Sequence, residues 1–190
     1  HLASIVEDAP VRLREPNGAV WAPSNFSGGP RGPVPLYRAL AESLNLATVA
    51  VGMKVGVDAV AGRIGALLGM DPPPAFPSLL LGATDLSPVQ VARLYAVFAG
   101  GGFAAPQKSI LAVEDRAGGQ LERFPLELGQ STDPATVLAI DHALGAVMRR
   151  GTGRGSRFAA RGVAGKTGTS DEFRDAWFAG FDAARLAVVW

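Results

Sequence analysis

The residue pattern of this 190-residue chain predicts an α+β domain in which helices pack against an antiparallel sheet. Three observations predict it. Apolar residues recur at helical spacing through the middle of the chain, from Pro35 to Arg150. After residue 162 they follow strand spacing in three short runs divided by turn residues. No internal repeat and no long linker interrupts the chain, so its length argues for one domain with room for a real core.

Residues 1–34 are rich in Pro, Gly and Asn, with short extended pieces such as Val11 to Arg14, and read as irregular surface structure. From Pro35 to about Ser43 the pattern turns helical. Leu36, Ala39 and Leu40 share a face, and Pro35 suits a first turn. Asn45 interrupts it. A second short helix is expected from about Leu46 to Lys54, ended by Gly56. Val57, Val60, Ala61, Ile64, Leu67 and Leu68 mark a third, ended by Gly69. Ser87 and Pro88 are an N-cap and first helical residue, followed by the stripe Val91, Leu94, Tyr95 and Phe98 and a stop at Gly100 to Gly102. Residues 109–114 and 121–125 suggest a hairpin about Gly118 and Gly119. A helix from Pro134 to Arg150 has Asp133 at its start and Arg149 and Arg150 in its last turn, both favourable to its dipole. Strands follow at about 162–169, 174–181 and 186–190, with a turn at Asp182 to Arg185.

Composition excludes several classes. A formal charge of +1 leaves no footprint for nucleic acid or an acidic membrane surface. The absence of Cys removes disulfides, zinc thiolates and thiol chemistry. With His1 and His142 as the only histidines, a histidine metal centre is not expected, and His142 lies off its helix's stripe of Val137, Asp141, Leu144 and Met148. No run approaches the ~18–20 apolar residues of a membrane span. The chain opens mid-pattern at His1 and stops inside an apolar run at Trp190, so we expect residues 1–190 to be part of one domain, cut at both ends.

Two short motifs carry chemistry. Gly165, Lys166, Thr167, Gly168 and Thr169 occupy the first of the late strands. Residues two apart in a strand share a face, so the hydroxyls of Thr167 and Thr169 lie together, with the Lys166 cation beside them. Two hydroxyls and a cation suit a carboxylate, and an edge-strand N–H can donate to an oxygen that becomes negative. Gly168 removes a side chain where another backbone or a ligand must come close. A phosphate loop is excluded because position 160 is Ala where Gly is needed. A plain edge strand stays open on this motif alone.

Ser43, Leu44 and Asn45 lie at the break between two helices, where a hydroxyl and an amide two residues apart can face one cleft. Ser and Asn are also what helix boundaries prefer as caps, and taken alone that reading is the stronger one. Glu42 and Asp58 lack a partner carboxylate and are read as surface charges. Asp175, Trp177 and Phe178 alternate like a strand and are assigned to packing. Gly151, Thr152 and Gly153 read first as a helix stop and second as the rim of a cleft.

Order and spacing of these motifs narrow the alternatives. Ser-x-Asn followed about 120 residues later by Lys-Thr-Gly-Thr, then by Asp175 to Gly180, resembles the transpeptidase domain of class A (bifunctional) penicillin-binding proteins. Leu13 to Pro23, Ala39 to Asn45, Leu80 to Ala83, Leu86 to Pro88 and Arg150 to Arg154 extend the resemblance across nearly the whole chain, and make it most like the 1B subgroup. The resemblance implies a five-stranded antiparallel sheet against helices, with the active site between them. It implies a parent protein anchored in the inner membrane and facing the periplasm, with a glycosyltransferase domain upstream. It assigns Ser43 a proton relay and Asn45 the acyl-donor peptide. Lys166 would support both relay and substrate charge, and Thr167 and Thr169 would grip a carboxylate beside Gly168. The N–H of Thr169 would form half of an oxyanion hole, and Thr152 would lie at the rim. The implied partners are peptidoglycan stem peptides, β-lactams and regulators of wall synthesis. No cofactor or metal is implied.

One element of the family pattern is missing. The first motif, Ser-x-x-Lys, needs a serine three residues before a lysine. The only lysines are Lys54, Lys108 and Lys166, preceded at that distance by Val51, Ala105 and Val163. We expect the motif upstream of this chain. A non-catalytic binding domain on the same fold, or a carboxypeptidase or β-lactamase type hydrolase, are the alternatives.

Overall fold

The computed structural model describes residues 1–14, 18–170, 172 and 174–190. Eleven strands and five α-helices are assigned among them. In chain order they begin with β1 (Ile5–Asp8), β2 (Leu13–Arg14), β3 (Val20–Trp21) and β4 (Gly32–Pro35). The helices α1 (Leu36–Ala41), α2 (Asn45–Val55), α3 (Val57–Leu68) and α4 (Pro88–Ala99) follow. Next come β5 (Phe103–Ala104), β6 (Ala112–Glu114), β7 (Gln120–Arg123) and β8 (Gly129–Gln130). The chain then runs through α5 (Pro134–Arg150), β9 (Ala164–Thr169), β10 (Ala176–Phe181) and β11 (Leu186–Val189).

Local signals set most helix ends. Gly69 closes α3 in the left-handed conformation. Ser87 and Gln90 form a reciprocal capping box ahead of Pro88, each side chain bonding the other's backbone N–H. Asp133 accepts from the Thr136 N–H at the start of α5.

The central sheet has the order β11-β10-β9, antiparallel throughout, with β9 at an edge. Three strands of this sheet are found among the described residues, against the five that the resemblance implies for a whole domain. Helix α5 packs on β9 and α1 packs on α5, while α4 lies against β10 and β11. Leu144, Ala164 and Phe181 form the core between helix and sheet, joined by Leu40, Tyr95, Phe98, Ile140 and Leu186. Because α5 is covered from two sides, Ala143 to Met148 are buried without interruption, which a one-sided stripe does not predict. Asp141 stays on that stripe, half-buried; burial raises its carboxyl pKa, and its Oδ1 has no hydrogen-bond partner among the described residues. His142 is exposed, as expected.

The opening segment departs from its sequence reading. Strands β1 and β4 pair antiparallel and bury Val6 and Val34 against Ala39, Leu44 and Ala47. A stretch rich in Pro and Gly therefore supplies a second small core, because alternate residues of so short a pair need only one apolar contact each to close it. Glu15, Pro16 and Asn17, inside the Leu13 to Pro23 stretch, lie outside the described residues, as do Asp171 and Phe173.

Candidate active site

Helix α1 ends in a Schellman turn that builds one wall of the site. The Leu44 N–H donates to the Ala39 carbonyl at 2.9 Å and the Ser43 N–H to the Leu40 carbonyl at 3.1 Å. This places Ser43 where glycine usually stands, and its φ is +54°, one of two non-glycine residues in that region among those described. A β-carbon there costs about 1–2 kcal/mol. Leu44 and Ala39, which that turn brings together, are both buried in the same apolar cluster, so packing holds the strained residue in place. Neither Ser43 nor Asn45 caps a helix with its side chain. The capping explanation of the Ser-x-Asn pattern is thereby removed.

What the strained turn presents is a hydroxyl. The Lys166 ammonium donates to Ser43 Oγ at 2.7 Å, joining residues 123 apart in the chain. It also donates to the Thr167 carbonyl at 2.8 Å. Burial lowers the lysine from its usual 10.5 to about 8, because a charged amine loses solvation between sheet and helix. An amine of that pKa exchanges its proton readily near neutrality.

The third side of the site comes from the end of α5. Gly151 meets α1 so closely that a β-carbon would stand 1.9 Å from the Ala41 carbonyl oxygen. The next residue, Thr152, donates its N–H to that same carbonyl at 3.2 Å. Its hydroxyl shares a 2.7 Å hydrogen bond with the Thr167 hydroxyl. Thr152, Thr167, Lys166 and Ser43 thus form one connected row, and Thr169 extends the strand to solvent.

Asn45 is the first residue of α2, and its Nδ2 donates to the Ser24 carbonyl at 2.8 Å. At Gly168 the nearest atom to an added β-carbon is Cβ of Trp177, at 3.3 Å and directly across the ladder. Trp177, and no backbone, is what comes close there. The close approaches fall instead at Gly165 and Gly180. These are paired across β9 and β10, and the Phe178 ring lies over both, with Cζ 2.9 Å and 2.6 Å from the added β-carbons.

Asp175 is not a strand residue. It precedes β10 and clamps the turn after Thr169, accepting from the Ser170 hydroxyl at 3.1 Å and from Trp190 Nε1 at 2.8 Å. Its own N–H returns to Ser170 Oγ at 2.7 Å. Glu42 pairs with Arg38 at 2.6 Å on the surface of α1. Residue types alone gave no sign of this Ser170–Asp175 clamp, since one of its two side-chain bonds is to backbone and neither residue belongs to a regular element.

The comparisons with known proteins agree with this geometry. The penicillin binding protein transpeptidase domain family matches residues 21–189. Penicillin-binding protein 1B of Vibrio cholerae is 38% identical over 193 residues, covering 100% of this chain and 25% of that protein. Penicillin-binding protein 1B of Escherichia coli is 36% identical over 192 residues, covering 97% of this chain and 22% of its own length. The chain therefore spans about a quarter of the curated relatives it matches. Among solved structures, penicillin-binding protein 1A from Haemophilus influenzae shares the fold with a TM-score of 0.86 at 24% identity, covering 95% of this chain and 33% of that one. A motif pair closed by the Lys166–Ser43 bond and a match along almost all of its length place this chain in the penicillin-binding protein transpeptidase family.

Proposed function

We propose that this chain carries the proton-relay and substrate-gripping part of a serine DD-transpeptidase, within a class A penicillin-binding protein that cross-links peptidoglycan. The observation that supports this most is the 2.7 Å bond from Lys166 to Ser43, which unites the Ser-x-Asn and Lys-Thr-Gly motifs on one wall.

In this reading a serine of a Ser-x-x-Lys motif, in sequence outside this chain, attacks the carbonyl carbon between the two D-Ala residues of a stem peptide. The C–O bond forms as the lysine of that motif takes the serine's proton, the C–N bond breaks, and free D-Ala departs once its nitrogen takes a proton. Ser43 delivers that proton, and Lys166, with its pKa near 8, replaces it. The ester then passes to the amine of a neighbouring stem. Asn45 binds the acyl-donor backbone, and Thr167 and Thr169 hold the terminal carboxylate next to the Lys166 charge. The Thr169 N–H supplies half of the oxyanion hole, and Gly168 keeps the lysine face clear. Thr152 sits at the rim and orients the Thr167 hydroxyl. β-Lactams, which carry the same carboxylate beside a strained amide, form an ester that does not turn over. The parent protein would be anchored in the inner membrane and act on its periplasmic side, and regulators of wall synthesis would bind it.

Labelling with a fluorescent penicillin tests the reading. A longer chain that includes the Ser-x-x-Lys motif takes a covalent label, and Lys166→Met slows that acylation at least about ten-fold, the worth of one charge-assisted contact. The 190-residue chain takes no label. A stable adduct on it, or a Lys166→Met variant that acylates at the normal rate, overturns the assignment.

A further inference from the structure

The start of α2 is capped from outside the helix. An α-helix begins with backbone N–H groups that have no partner inside it, and here the N-cap residue Leu44 offers no side-chain acceptor. Two remote side chains supply the acceptors. Asn25 Oδ1 takes the Leu46 N–H at 3.2 Å, and Asp8 Oδ1 takes the Ala47 N–H at 3.0 Å. The Asp8 side chain is wholly buried, at 0% exposure. Its other oxygen accepts from Asn25 Nδ2 at 2.8 Å and from the Arg31 N–H at 2.7 Å. No ion pair to Asp8 is found among the described residues, so its charge rests on amide donors and the positive end of α2.

This network lies beside the Ser-x-Asn motif. Ser24, adjacent to Asn25, holds the Asn45 amide through its carbonyl. With Nδ2 bound there, the Asn45 oxygen is turned away from that carbonyl and stays available as an acceptor. Asp8 and Asn25 therefore fix two things together: the loop that grips Asn45 and the helix start from which Asn45 projects.

We propose that Asp8 and Asn25 form a remote cap whose task is to set the amide orientation of Asn45. They are positioning residues. The inference rests on the reading above that Asn45 binds the acyl donor, and its test separates the two.

The test uses the longer chain carrying the Ser-x-x-Lys motif, with acylation by fluorescent penicillin and thermal melting measured side by side. Asp8→Asn lowers acylation about ten-fold, the effect of losing a charge-assisted acceptor. In an Asn45→Ala background the same change has almost no further effect, because the residue it positions is gone. The exchange Asp8→Asn with Asn25→Asp keeps the contact between the two side chains and both bonds to α2, losing the Arg31 acceptor and the 3.5 Å bond from Asn25 Nδ2 to the Gly29 carbonyl, and it restores acylation to within about three-fold. That exchange also serves if Asp8→Asn alone fails to fold. Losses that simply multiply in the Asn45→Ala background, a folded Asp8→Asn variant with normal acylation, or a folded exchange variant that stays slow would each overturn the proposal. Normal acylation by Asn45→Ala itself would refute the role of Asn45 instead.

Discussion

Ser43 holds its hydroxyl on a strained backbone. Its φ of +54° is the glycine position of a Schellman turn, so Ser43→Gly and Ser43→Ala should differ although both remove the hydroxyl. Glycine relieves about 1–2 kcal/mol of left-handed strain and returns about 0.5–1 kcal/mol as unfolded-state entropy. The glycine variant should therefore be about 1 kcal/mol more stable than the alanine variant, and both should lose acylation equally. Denaturant melts check the first statement, and equal stabilities would show that the turn carries no strain. Lys166 makes a second residue-scale prediction. Its pKa is about 8 when folded against 10.5 when unfolded. Below pH 8 both states hold the proton, and the cost of burying the charge is fully present. Between pH 8 and 10.5 the unfolded chain holds more protons, so the fold gains stability as pH rises through that window. Melting of the wild type against Lys166→Met should show this gain. Parallel pH curves would mean that Lys166 titrates as an exposed lysine.

At the scale of elements, strand β9 and the end of α5 act as one unit. Gly151 admits the end of α5 against α1, and Thr152 then bonds Thr167 across to the strand. Thr167→Val with Thr169→Val keeps the β-branched shape of β9 and removes only the hydroxyls. Thr169 is exposed and Thr167 gives up one hydrogen bond, so stability should fall by about 1 kcal/mol or less. If the hydroxyls hold the substrate carboxylate, acylation should fall by about one to two powers of ten for each one lost. Penicillins and stem peptides should suffer alike, since both present a carboxylate. The acylation rate beside the melting temperature decides the matter: unimpaired acylation in the folded double variant would reduce β9 to a structural strand. Helix ends were legible because their signals are local, as Gly69, Ser87, Pro88 and Asp133 show. The β1–β4 pair was not, because its partners lie 24 to 30 residues apart within a segment whose composition favours turns.

Over the whole molecule, the site exists only where three separate parts of the chain meet: the α1–α2 turn, the end of α5 and the edge strand β9. Residue pattern was enough to show that the central helices precede the three late strands, where most of those helices stop, which two motifs bring hydroxyl and amine groups, and that no Ser-x-x-Lys lies within these 190 residues. Each of those follows from residue type and near-neighbour spacing, which act over one turn of helix or one step of strand. Tertiary structure alone decided that Ser43 is a strained turn residue and no cap, and that Lys166 reaches it across 123 positions. It also decided that Thr152 belongs to the Thr167 row, that Asp175 clamps a turn, and that Asp8 and Asn25 cap a helix they do not belong to. These are contacts between distant segments. Their strength depends on burial and on angles set by packing, and no local pattern of residues encodes either.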